Sequence, residues 1–138
     1  MKRTLAALAV VSILAGPALA EPFDVFGTFR TAAGTSHIRI ADCGDGSPCG
    51  TVVWIDPKAL PAGETPETIK DANGARLMGM KLISGFSRKA NDWRGGTIYD
   101  PEAGKTYASR LKRLVNGHLE VKGCIGPICQ TQIWTPVF

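Results

Sequence analysis

Cys43, Cys49, Cys124 and Cys129 carry the most reactive side chains of this sequence. Four thiolates hold zinc when they come as two C-x₂-C pairs, and the spacings here, x₅ and x₄, depart from that pattern. A C-x-x-C redox motif is absent as well. Disulfides are the remaining chemistry, and four cysteines allow three connectivities. The local pairs Cys43–Cys49 and Cys124–Cys129 are expected, because the intervening GDGSP and IGPI are turn-like and let the chain double back. Loops this short would each stabilise the fold by about 2–3 kcal/mol in the chain-entropy model.

Other reactive groups are scattered. Gly104-Lys105-Thr106 resembles the end of a phosphate loop, but the pattern G-x-x-x-x-G-K-T requires glycine where Tyr99 stands. Asp100-Pro101-Glu102-Ala103-Gly104 reads as a turn feeding a strand, and its acids do not follow a calcium loop. His37 and His118 form no metal pair at short spacing. Asp71, Asp92, Asp100, Glu102 and Glu120 offer carboxylates, with no spacing that sets two of them around a glycosidic bond. Ser84, Ser87 and Ser109 lack a nucleophile-elbow context. No nucleophile or base stands out, no metal or cofactor is implied, and an enzyme is the least favoured class.

The elements that position these groups begin with an address. Lys2 and Arg3 precede an apolar run from Leu5 to Leu14, and Ala18-Leu19-Ala20 is an A-x-A cleavage site. Residues 1–20 therefore read as a cleaved signal peptide and residues 21–138 as one mature domain, periplasmic or secreted. The rival, an uncleaved anchor, is opposed by Gly16 and Pro17. Export makes disulfides the default. Removing Lys2 and Arg3 from 16 basic residues leaves 14 against 12 acids, so the net charge falls from +4 to +2. That balance argues against nucleic acid as a partner. A 44% hydrophobic, 20% charged composition argues against disorder.

Gly and Pro punctuate the mature chain about every ten residues, with β-prone runs between them. Strands are predicted near Phe26–Thr31, His37–Asp42, Gly50–Ile55, Lys81–Phe86, Gly95–Tyr99, Thr106–Leu114, His118–Gly123 and Gln130–Val137. Without helical crossovers these are antiparallel neighbours in a meander. At Val115-Asn116-Gly117, a three-residue loop with Gly117 in the left-handed region sets Leu111 against Val121 and Lys112 against Glu120. That register puts apolar residues on one face and opposite charges on the other. The 56–76 segment lacks strand character; Thr65 as N-cap, Pro66 and Glu67 predict one short helix there, stopped by Asn73-Gly74. It is a surface connection or a cap over a barrel mouth. About eight antiparallel strands protect their edges by closing, or nearly closing, into a small all-β barrel. Trp54, Phe86, Trp93, Tyr107 and Trp134 are the aromatic candidates for its lining, against a reading in which aromatics simply fill the core.

Several stretches together carry a family resemblance: Cys49-Gly50-Thr51-Val52-Val53; Gly79-x-x-Leu82-Ile83-x-Gly85-Phe86; Trp93 through Asp100-Pro101-x-x-Gly104-Lys105-Thr106-Tyr107; Leu119-x-Val121-x-Gly123-Cys124-Ile125-Gly126; and Thr131-Gln132-x-Trp134-Thr135. The chain resembles the bacterial secreted family called domain of unknown function 2147, from about Gly27 to Thr135. The resemblance implies a calycin-like barrel, of the lipocalin or fatty-acid-binding type, and no assigned activity. Two departures stand out: Asp71-Ala72-Asn73 where members tend to read Asn-Pro-Asp after the acid, and Trp134-Thr135-Pro136 where they tend to close Trp-Thr-Arg. An active centre built on those positions would be incomplete here.

Three functions follow in order. The first is a binding module holding a small apolar or amphipathic molecule of the envelope in an aromatic-lined cavity. The second is a filled barrel docking an envelope protein. The third is an enzyme on envelope material, with Asp71, Arg76 and Asp100 as the polar residues to inspect. All three rest on fold analogy.

Overall fold

The computed structural model describes residues 6–14, 16 and 19–138. Lys2, Arg3, Pro17 and Ala18, on which the signal-peptide reading leans, lie outside the described residues. Among the described residues nine strands form one sheet: β1 (Gly27–Arg30), β2 (Ser36–Asp42), β3 (Pro48–Ile55), β4 (Lys81–Ser84), β5 (Ser87–Arg88), β6 (Trp93–Asp100), β7 (Lys105–Arg113), β8 (Leu119–Ile125) and β9 (Ile128–Pro136). Their order is β4-β3-β2-β1-β9-β8-β7-β6-β5, and an added β4–β6 pairing closes eight of them into an antiparallel barrel. β5 is a two-residue extension paired to the start of β6.

Alternation on a pleat is clearest in β2 and β7. Ile38 and Ile40 are buried while Arg39 between them is exposed, and Leu111 is buried while Arg110 is exposed. The β7–β8 hairpin has the predicted register, with Leu111 opposite Val121, Lys112 opposite Glu120, and Gly117 at φ +87°. Its outer face also carries an ion pair along β8, Lys122 Nζ to Glu120 at 3.6 Å. The sheet bends where its register shifts, at His37/Ile38, Gly50/Thr51 and between Trp93 and Gly96. Gly50 and Gly96 allow close packing across the barrel. A Cβ on Gly96 would stand 2.5 Å from the Phe86 ring, and one on Gly50 would strike Ile83.

Both local disulfides form, Cys43–Cys49 and Cys124–Cys129. All four cysteines are paired in these two disulfides. Cys124 and Cys129 are directly opposed in the β8–β9 ladder, next to its turn.

The predicted short helix in the 56–76 segment does not form. Thr65 does act as a cap: its Oγ1 accepts the Thr68 N–H at 3.2 Å, and Ile69 N–H reaches the Thr65 carbonyl at 3.0 Å. One turn is all that follows, because Asp71 Oδ1 takes the N–H groups of Asn73 and Ala75 and folds the chain back. Lys70 then pairs with Arg76 as an isolated bridge. A side chain that offers the backbone a tight turn defeats a helix too short to nucleate. Among the described residues the helical element is a 3₁₀ turn, Pro57–Ala59, capped by Asp56.

The barrel has a filled end and an open end. Val25, Phe29, Ile38, Ile83, Leu111 and Leu119 are fully buried in the filled half. The segment before β1 shuts that end. Trp93 Nε1 donates to the Phe23 carbonyl at 2.9 Å, and Arg113 Nη1 donates to the Asp24 carbonyl at 2.9 Å. No helix among the described residues is long and apolar enough to cross a membrane.

Candidate functional site

At the open end the side chains stop short of filling the barrel, leaving a cavity of about 450 Å³. Alternation along three strands builds it. β7 turns Tyr107 inward, β8 turns Val121, Gly123 and Ile125, and β9 turns Ile128, Gln130, Gln132 and Trp134. Ile98 and Asp100 at the end of β6, and Leu77 before β4, complete much of the wall. Gly123 makes room: a Cβ there would lie 3.6 Å from Ile98 and 3.9 Å from Tyr107, pointing among the lining groups. The Trp134 indole N–H donates to Gln132 Oε1 at 2.9 Å, which satisfies a buried donor and fixes both side chains.

Of the predicted aromatics, Tyr107 and Trp134 line this cavity, and the other three serve elsewhere. Trp54 lies opposite His37 in the β2–β3 ladder and stacks on its ring, 4.3 Å between centroids. Burial and the nearby Arg30 charge hold the His37 pKa below its ordinary value. Phe86 packs over Gly96 in the filled half, and Trp93 sits at the closed end bonded to Phe23. An aromatic side chain has no intrinsic preference for one end of the barrel, so the mismatch comes from tertiary placement.

The polar candidates separate in the same way. Asp100 lines the cavity and caps its own turn, accepting the Glu102 N–H at 3.0 Å. Asp71 sits on the rim: the Tyr99 hydroxyl donates to its Oδ2 at 2.5 Å and accepts from Asn73 Nδ2 at 3.0 Å. The Tyr99 hydrogen bond first, then the backbone N–H of Ala75, holds the Asp71 carboxyl below the usual range, while Asp71 raises the Tyr99 pKa. Ala72 N–H adds a bond to the Pro101 carbonyl at 2.8 Å, so the 70–76 hairpin is strapped to the mouth. Arg76 is exposed beside Glu64 and Glu67 in a separate shallow groove. Among the described residues no hydrogen bond or ion pair joins Asp71, Arg76 and Asp100, so the set first inspected for catalysis is not brought together.

Several lining residues escaped the sequence reading: Gln130, Gln132, Ile125, Ile128 and Glu102. The signal for the first four was period-2 spacing from Trp134 and Val121. Ser109 is also inward, between Tyr107 and Leu111 and opposite Gly96 and Gly123. Its hydroxyl is buried and makes no hydrogen bond among the described residues.

The chain matches, over residues 27–136, the model of a family described as an uncharacterized protein conserved in bacteria (DUF2147). No curated protein sequence matches it. Among solved structures it is similar to protein HP1028 of Helicobacter pylori, described as belonging to the lipocalin family. That likeness has a TM-score of 0.59 at 18% identity and covers 88% of this chain and 85% of the other. At that identity the shared feature is the barrel.

Proposed function

The chain belongs to the bacterial DUF2147 family, and for this member we propose that the barrel binds a small apolar or amphipathic molecule of the cell envelope. The cavity of about 450 Å³ at the open end carries this reading. It falls within the roughly 300–1,000 Å³ of typical ligand pockets, and its wall mixes apolar side chains with polar ones, as an amphipathic ligand requires. A barrel whose only task was structural would gain by filling that space with side chains, as its other half is filled. The two disulfides support an oxidising compartment, and a periplasmic or secreted mature domain of residues 21–138 fits them. The stretch containing Leu8, Val10, Val11, Ile13 and Leu14 is exposed and belongs to no helix or strand, which suits a signal that is removed.

Native mass spectrometry of protein purified from its host should reveal a bound small molecule that denaturing conditions release. Gly123→Leu places a side chain in the cavity at a backbone conformation open to any residue, and it should remove the bound mass while the protein stays folded. Host-purified protein at its bare mass, together with unchanged uptake of apolar dyes by Gly123→Leu, would overturn the reading.

A further inference from the structure

We infer that the cavity selects an organic ammonium ion: a single-chain amphiphile whose tail lies in the barrel and whose cationic head sits at the mouth. The inference rests on the cavity reading above and adds the chemical class of the ligand.

Two features of the wall point to it. The charged residues lining the cavity are Asp100 and Glu102, both acids, and no lysine, arginine or histidine lines it. Neither acid has a salt-bridge partner among the described residues, where the ion pairs are Arg94–Asp92 and Lys122–Glu120. Lys105, the cross-strand partner of Asp100 on the same face of the ladder, is exposed, makes no ion pair with it among the described residues and does not line the cavity. The second feature is aromatic. Tyr99, Tyr107 and Trp134 line the same space, and Tyr107 is the diagonal cross-strand neighbour of Asp100 on the inner face. Ring faces attract cations most when water is displaced, and aromatic walls with carboxylates are how proteins hold alkylammonium groups. A carboxylate ligand would meet two like charges on the wall and no lining cation, which disfavours it.

The test compares three probes of one chain length below their micelle-forming concentrations: decyltrimethylammonium, decanol and decanoate, followed by calorimetry and tryptophan fluorescence. The ammonium should bind about tenfold more tightly than decanol, with decanoate weakest. In the variant Asp100→Asn with Glu102→Gln, which keeps the acceptor that caps the turn, the ratio of ammonium to decanol affinity should fall toward one. The wild-type ratio should also shrink in 1 M salt, where screening acts over about 3 Å. Decanoate binding as tightly as the ammonium, or a ratio unmoved in the double variant, overturns the ammonium assignment while leaving the cavity reading standing. Failure of all three probes, decanol included, defeats the cavity reading and this inference with it.

Discussion

Tyr99 and Asp71 lock the strap to the mouth through a single short contact, and its pH dependence has a definite sign. A carboxylate whose folded pKa is depressed contributes stability that is present above its unfolded pKa, about 3.9, and is lost as pH falls through the folded value. Tyr99, whose pKa is raised, works in the opposite sense: its contribution is present below about 10 and is lost as pH rises through the folded value. Both groups are half-buried at the rim, so the effect is local and concerns the 70–76 hairpin. Tyr99→Phe should move the Asp71 titration, followed by NMR, up toward the ordinary carboxylate range and speed amide exchange at Asn73 and Ala75. An Asp71 titration unchanged in Tyr99→Phe would show that the backbone N–H groups alone set it. At this scale the sequence marked Asp71 and Asp100 as notable acids. It could not pair Asp71 with Tyr99, 28 positions away, because that contact exists only once the strap folds back.

The elements were the most legible level. The long strands were legible as β-prone runs between Gly and Pro, and the β7–β8 register followed from requiring apolar pairs on one face. β5 escaped because two residues carry no period. The expected helix failed for a local reason already present in the sequence, the side chain of Asp71 competing for backbone donors. The β8–β9 hairpin is where element and site meet. Its tip presents Ile125 and Ile128, 71% and 74% exposed, at the cavity mouth, and Cys124–Cys129 closes the ladder directly behind them. Replacing both cysteines, Cys124→Ser with Cys129→Ser, should lower unfolding stability in urea by about 2 kcal/mol. Apolar-ligand affinity should fall with it, since the rim loses its brace. An unchanged urea midpoint would mean the ladder alone holds the tip.

The whole molecule divides its labour along the barrel axis. The filled half holds the fully buried Phe29, Ile38, Leu111 and Leu119 and is sealed by the segment bonded to Trp93 and Arg113. The open half holds the cavity, and the orphan hydroxyl of Ser109 is buried beside the lining residue Tyr107. Opening free energies should follow that gradient. Hydrogen exchange should be slowest at the amides of Ile38, Leu111 and Leu119 and faster at Ile98, Gly123 and Gln132. Adding an apolar ligand should slow the second group selectively. Uniform protection along the barrel would show one cooperative unit instead of two halves.

By itself the sequence determined the strand pattern and the hairpin register, and it favoured the two local disulfide pairs and a closed or nearly closed barrel of the family it resembles. Those properties depend on neighbours close in the chain, on period and on turn chemistry, and sheet edges that must be paired leave few alternatives. Only the tertiary structure decided which half of the barrel is filled, which aromatics face the space, and that acids without cations line its wall. Those properties depend on how far each strand is staggered against the next. Stagger is the summed result of bulges, such as those beside His37 and Gly50, whose positions no local pattern encodes.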